Sequence, residues 1–265
     1  SLLRKGGYDG LIAGTEPLTG KVLRSAPSLK VISRAGTGLD NIDQDAAGRL
    51  SISVFNTRDI LTDAVAELTM GLMLACLRLI TAADRDMRRG VWNKRMGYTL
   101  NGKTVGIIGF GSIGSRVAGL AKAFGAKVVL HDIRDVRPGA YDQVSLARLL
   151  RCSDIISIHA SSNERLISAK EIAVMKKGAV LINTSRGGIV DEDALYRGLK
   201  ARRIGSAALD VYAREPYKGK LSGFDNVILT PHIGSYARET RIAMESEAAQ
   251  NLIRVSKGRV AMKGE

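Results

Sequence analysis

The chain has 265 residues, 45% hydrophobic and 25% charged, the balance of a folded globular protein with room for two domains. Its formal net charge is +14, yet the basic residues are dispersed and only 5% of the chain is aromatic, which argues against a base-stacking nucleic-acid surface. No apolar run reads as a membrane span, no secretory pattern opens the chain, and Cys76 and Cys152 match no metal or redox spacing; a cytoplasmic protein with no metal and two buried free thiols is expected.

In chain order, Tyr8 to Gly14 reads as a strand, Thr19 to Ser25 as a short helix, and Leu29 to Arg34 and Ile52 to Phe55 as two further strands. A long helical pattern runs from Thr62 into the region of Arg85, with Thr62 or Asp63 as its cap. A more regular series follows. Thr104 to Ile108 is an apolar strand, Ile113 to Phe124 a helix, and Lys127 to His131 the next strand. A helix near Val144 to Leu150 leads to a strand at Ile155 to His159, and a helix at Lys170 to Met175 leads to a strand at Ala179 to Asn183. Then come a helix at Asp191 to Lys200, short strands at Ala207 to Val211 and Val227 to Thr230, and a closing helix from about Glu239 to Val255.

Continuous apolar strands alternating with helices predict an α/β protein with a parallel sheet covered on both faces. We assign a doubly wound, Rossmann-type nucleotide domain to residues 63–235 and a second α/β domain to residues 1–62, joined by the helix within 236–265. A crevice between such domains is where a small substrate is expected. The basic residues form three groups: Arg85 to Arg95, Arg197 to Arg203, and Arg254 with Lys257, Arg259 and Lys263. They are placed on polar helix faces and helix ends, where cations complement the helix dipole.

Between the first strand and helix of the regular series stands Gly109-Phe110-Gly111-Ser112-Ile113-Gly114. Gly109 permits a tight turn, Gly111 lets the backbone approach a pyrophosphate, and Gly114 lets the helix pack close to the strand. The phosphates then meet free N–H groups at a helix N-terminus. Asp132 ends the following strand, placed for the adenosine ribose hydroxyls, and its charge would repel a 2′-phosphate, so NAD is favoured over NADP.

A general acid or base must titrate near neutral pH, and the chain has three histidines: His131, His159 and His232. His232 lies in Thr230-Pro231-His232-Ile233-Gly234, just after the last strand. Arg186 follows a buried strand, and its fork matches a carboxylate bidentately. Glu215 is placed to hold the imidazole tautomer, and Asp210 to face the nicotinamide end.

These residues resemble the D-isomer-specific 2-hydroxyacid dehydrogenases, and among them the D-3-phosphoglycerate dehydrogenase branch. The resemblance covers nearly the whole chain and rests on four signatures in the family's order: Leu29 to Asp43, Ala64 to Thr69, Asn183 to Asp191, and Leu209 to Pro216 with Thr230 to Gly234. It implies a flavodoxin-like substrate domain that is N-terminally truncated. It makes His232 the proton donor, Glu215 its partner and Arg186 the ligand of the substrate carboxylate and carbonyl. Gly36, Thr37 and Gly38 would bind the carboxylate, with Thr37 also near the nicotinamide. Ser112 and Ile113 would touch the pyrophosphate, and Ala160, Thr184, Ser185, Gly234 and Ser235 would line the rest of the cofactor site. The implied enzyme transfers a hydride between NAD(H) and a D-2-hydroxyacid/2-keto acid pair. Phosphoglycerate, and with it serine biosynthesis, is the first expectation and glyoxylate or hydroxypyruvate the second. The helix from Thr62 is the implied homodimer element. A different class, an NAD(H)-sensing corepressor-like binding protein, would keep the same residues. The chain departs from the family pattern at Arg58, Asp59 and Leu61, at Ser161, and at Tyr236 and Ala237.

Overall fold

The computed structural model describes residues 6–57, 59–136, 139, 141–162 and 164–256. Arg58, Lys257, Arg259, Lys263 and the 257–265 part of the expected closing segment lie outside the described residues. The chain divides into two compact units, Thr62–Gly234 and the combination of Ser1–Leu61 with Ser235–Glu265.

In the unit formed by the two ends, β1 (Gly10–Ala13), β2 (Val31–Arg34) and β3 (Ser53–Asn56) make a parallel sheet in that order. Two short helices separate them, α1 (Gly20–Arg24) and α2 (Gln44–Arg49). Each is started by a side chain that accepts from an otherwise unpaired N–H: Thr19 from Val22 and Asp43 from Ala46. Helix α2 carries no apolar periodicity in its sequence QDAAGR, and its cap Asp43 also accepts from Gly20, which ties it to α1.

The central unit opens with α3 (Thr62–Arg78) and α4 (Ile80–Arg88). The helical pattern expected to run unbroken past Thr62 is interrupted at Leu79, whose φ of 56° is left-handed. Such a residue ends a helix and frees its last carbonyls; one of them, on Leu77, accepts from the N–H of Tyr98. Within Asp59–Arg78 an 18-residue window has a mean hydropathy of 1.7, so by length and composition this stretch is more apolar than the sequence reading allowed. Half of it is buried, and Ala66, Met70, Met73, Cys76 and Leu77 belong to the core beneath the large sheet.

The remaining elements of this unit are β4 (Thr104–Ile108), α5 (Ser112–Ala123), β5 (Lys127–His131), β6 (Asp142–Gln143), α6 (Leu146–Cys152), β7 (Ile155–Ile158), α7 (Ala169–Val174), β8 (Ala179–Asn183), α8 (Glu192–Lys200), β9 (Ile204–Leu209) and β10 (Val227–Leu229). The strands form a seven-stranded sheet in the order β10-β9-β8-β7-β4-β5-β6, every pair parallel. This is the doubly wound α/β arrangement expected from the sequence. Helices α3 and α5 cover one face, burying Met73, Val117 and Ala121 against Val105 and Ile107. Helices α6, α7 and α8 cover the other, burying Leu149, Ile172 and Leu195 against Ile156, Ile158 and Leu181. Each fully buried aliphatic side chain contributes about 1.5–3 kcal/mol, and burial on both faces explains why these strands read as unbroken apolar runs.

Helix α9 (Arg238–Ser256) belongs to the first unit. There Met244, Ala248 and Asn251 are buried, and Asn251 donates to Ser33 Oγ of β2. Both cysteines are free, but only Cys76 is buried; Cys152, at the end of α6, is half-buried.

Candidate active site

Because every strand of the large sheet runs the same way, all the segments after the strands emerge at one edge. They are Gly109 to Gly111 after β4, Asp132 after β5, His159 and Ala160 after β7, Thr184 to Arg186 after β8, Asp210 after β9 and Thr230 to Gly234 after β10. The strand order reverses between β4 and β7, and in open parallel sheets ligands bind outside that switch point.

At the switch point Gly109 has φ +88°, and α5 starts two residues later. A Cβ at Gly114 would lie 2.0 Å from the Gly109 carbonyl oxygen, so the helix packs directly onto the turn. At Gly111, by contrast, a Cβ would meet nothing within 4 Å. An open cradle over a helix N-terminus with no acidic residue in its first turn fits a pyrophosphate.

Asp132 reaches back into this loop. Its Oδ2 accepts from the Phe110 N–H at 2.8 Å and its Oδ1 from the Arg134 N–H at 2.9 Å. Burial opposes its charge, but these two N–H groups and the Arg134 guanidinium, 3.3 Å away, outweigh it and hold the carboxyl below the usual range. The acid expected to meet a ribose therefore also shapes the phosphate loop.

Across the sheet, β10 ends in the turn that carries His232. His232 is itself left-handed, with φ 55°, a conformation that a non-glycine residue keeps only where its surroundings enforce it. The enforcing group is Asp210. Its buried carboxylate accepts from Thr230 Oγ1 at 2.6 Å, from the Ile233 N–H at 2.8 Å and from the Gly234 N–H at 2.8 Å. The residue expected at the nicotinamide end thus grips the whole His232 turn. His232 Nδ1 lies 2.9 Å from Glu215 Oε2, and the other Glu215 oxygen accepts from the Tyr212 N–H at 3.2 Å. The Tyr212 hydroxyl sits 2.9 Å from the carbonyls of both Leu209 and Thr230, pinning the ends of β9 and β10 together. Burial pushes that phenol well above its ordinary range.

Between these lies the segment after β8. Asn183, fully buried, donates to the Arg186 carbonyl and accepts from the N–H and hydroxyl of Ser185. Arg186 Nη1 donates to Ser185 O at 2.9 Å. The other two histidines are engaged elsewhere, His131 Nδ1 with Val144 O and His159 Nε2 with Ser157 Oγ. Among the described residues no cluster of histidine, cysteine and carboxylate side chains could hold a metal.

Residues 70–234 match the family model of the NAD-binding domain of D-isomer-specific 2-hydroxyacid dehydrogenases. The chain belongs to that family. It is an NAD-dependent oxidoreductase of the 2-hydroxyacid dehydrogenase class, acting on CH–OH donors. It is 42% identical over 265 residues to a glyoxylate reductase of Aeropyrum pernix, covering 93% of this chain and 79% of that enzyme. It is 40% identical over 260 residues to a D-3-phosphoglycerate dehydrogenase of Methanocaldococcus jannaschii, covering 94% of this chain but 49% of that one. Among solved structures, the D-lactate dehydrogenase of Aquifex aeolicus, complexed with NAD and lactic acid, superimposes with a TM-score of 0.89 at 29% identity, covering 97% of this chain and 85% of that one.

The other expected dehydrogenase residues, Gly36, Thr37, Gly38 and Ser235, fall in the first unit. The loop after β2 is held by β3: Asn56 donates to Thr37 O at 2.7 Å, and the Gly36 N–H donates to Thr57 Oγ1 at 2.8 Å. Asn183, Tyr212 and Asn56 were not singled out from sequence. The first two lie within motifs that were read, but their partners are set by chain segments meeting in space.

Proposed function

We propose that this dehydrogenase reduces a small 2-keto acid, glyoxylate or hydroxypyruvate, to the D-2-hydroxy acid with NADH. The observation that carries this reading is the His232–Glu215 pair, held 2.9 Å apart at the sheet edge that also bears Arg186 and the phosphate cradle. A carboxylate only accepts, so Nδ1 carries a proton and Nε2 is the nitrogen that gains and loses the exchanged one. In the reduction His232 Nε2 gives its proton to the carbonyl oxygen of the keto acid, and Glu215 steadies the ring and its transient charge. Arg186 binds the keto acid's carboxylate and carbonyl oxygen through its fork. The Gly36 N–H is already engaged by Thr57, so of the loop after β2 we assign the N–H groups of Thr37 and Gly38 to the carboxylate. Ser112 and Ile113 open α5 at the pyrophosphate, while Ala160, Thr184, Ser185, Gly234 and Ser235 complete the cofactor wall. The nicotinamide, when bound, exchanges a hydride at C4.

Glyoxylate is placed first because the Aeropyrum glyoxylate reductase is matched over most of its length. Phosphoglycerate is the second reading, favoured by Arg34 beside the Gly36 loop and by the +14 net charge. We infer a homodimer as well. The apolar stripe of α3 is used up inside its own unit, whereas Met87, Trp92, Met96 and Tyr98 follow it at 54%, 78%, 91% and 66% exposure. These exposed apolar residues, close together in sequence, are the surface we assign to contact with a second copy. We also infer a cytoplasmic location, which an NADH-linked reaction and two free thiols support.

A panel of 2-keto acids assayed with NADH and NADPH tests the reading. Turnover of glyoxylate or hydroxypyruvate with NADH, lost by at least about a hundredfold in His232→Ala with NADH affinity kept, supports it. Turnover confined to phosphohydroxypyruvate, the 2-keto acid that corresponds to phosphoglycerate, selects the second reading. NADH binding with no turnover of any acid makes the chain a binding protein instead.

A further inference from the structure

Thr69 on α3 and Thr184 after β8 stand 115 positions apart, and their hydroxyl oxygens meet 2.9 Å apart in the interior of one unit. Thr69 is fully buried and Thr184 is 8% exposed. Thr69 Oγ1 also lies 2.7 Å from the Val65 carbonyl, one helical turn back. A carbonyl can only accept, and a threonine hydroxyl has a single proton. The Thr69 proton is therefore committed to Val65, and Thr69 Oγ1 must receive the proton of Thr184. With its own proton given to Thr69, the Thr184 hydroxyl, on the residue that follows β8, keeps only lone pairs to offer.

We infer that Thr69 is a positioning residue that fixes Thr184 as an acceptor-only group, so that the cofactor site selects an N–H donor, the carboxamide of the nicotinamide, over a carbonyl at the same place. The inference rests on the proposed reading of this edge as the cofactor site. The topology assigns the end of the cofactor involved. The phosphate cradle follows β4 and Asp132 follows β5, so the adenosine lies towards β5 and the nicotinamide on the other side of β4, towards β7 and β8. Thr184 is one residue from Ser185 and two from Arg186, on that side. A methyl group in place of either hydroxyl would break the proton chain without changing side-chain volume much, which is what makes it testable.

The experiment is a calorimetric titration of the whole chain with NAD and with its 3-acetylpyridine analogue, in which a methyl ketone replaces the carboxamide and removes its N–H donors. Wild type is expected to prefer NAD about three- to tenfold, the worth of one neutral hydrogen bond. Thr184→Val should abolish the preference by weakening NAD alone. Thr69→Val should free the Thr184 proton for the ketone and raise the analogue's affinity towards that of NAD. Thr69→Ser, which keeps the hydroxyl, should restore the wild-type ratio. Melting temperatures of the variants separate this from a packing role, which would weaken both dinucleotides together and overturn the inference. Equal affinities in wild type, or an unchanged ratio in Thr184→Val, would overturn it too; these two measurements decide the matter even if Thr69→Val does not fold. Binding of neither dinucleotide would remove the cofactor reading of the edge itself, whereas binding of both without preference removes only the role of Thr69 and Thr184.

Discussion

His159 and His232 both follow strands of the same sheet, yet their surroundings make them different chemical groups. His232 is solvent-facing and paired with Glu215. His159 has Nε2 against Ser157 Oγ and Nδ1 buried without a protein partner, and burial pushes its imidazole down to about 3. A base with a depressed folded pKa stays neutral while the unfolded chain takes up a proton, so between about pH 3 and 6.5 the unfolded state binds more protons. Stability contributed by a neutral His159 is fully present above 6.5 and lost as the pH falls towards 3. At pH 5 the loss is roughly 2 kcal/mol relative to pH 7.5, at 1.36 kcal/mol per pH unit below 6.5. Urea denaturation at the two pH values is expected to show wild type losing about that much more than His159→Asn. Equal losses would mean that the imidazole is not held neutral.

At the scale of elements, the turn from β4 into α5 separates binding from folding within six residues. Gly114 is required by the fold, because a side chain there would strike the Gly109 carbonyl. Gly111 faces open space, so a side chain there would meet no part of the fold. Gly111→Ala is therefore expected to leave the urea midpoint within experimental error and to weaken NADH binding at least about tenfold, since a methyl group displaces the phosphate from its N–H donors. Gly114→Ala is expected to cost about 1–3 kcal/mol in stability with or without cofactor, as overpacking does. Matched denaturation curves and NADH titrations of the pair check this. A destabilised Gly111→Ala would show that the cradle is structural.

For the whole molecule, the exposed apolar residues after α3 carry the prediction. Trp92→Glu with Met96→Glu is expected to convert a dimer into a monomer by light scattering while the melting transition of the isolated unit persists. An unchanged mass would place the interface elsewhere. The basic residues that give the chain its +14 charge take several structural roles. Arg203 donates to the carbonyls of Ile172, Ala173 and Met175 at the end of α7, and Arg85 and Arg116 pair with Asp225 and Asp63. Salt bridges this exposed contribute little each.

The repeating alternation of apolar strand and helix was enough to read the class of fold, because burial on both faces of a parallel sheet leaves no polar positions in its strands. The glycine loop, Asp132, Arg186, Glu215 and His232 were legible for a related reason: each is a short motif tied to the end of a strand, and a parallel sheet brings strand ends to one edge. Helix α2, held by Asp43 rather than by periodicity, and the break at Leu79, where the last helical carbonyl finds the Tyr98 N–H, were not. Nor was the use of Asp210 as the clamp of the His232 turn, or the meeting of Thr69 with Thr184. Hydrogen bonds between segments that are distant along the chain leave no local pattern, because either partner alone is an ordinary polar residue. Which side chains face a ligand and which hold those side chains in place was decided only when the strands had been packed side by side.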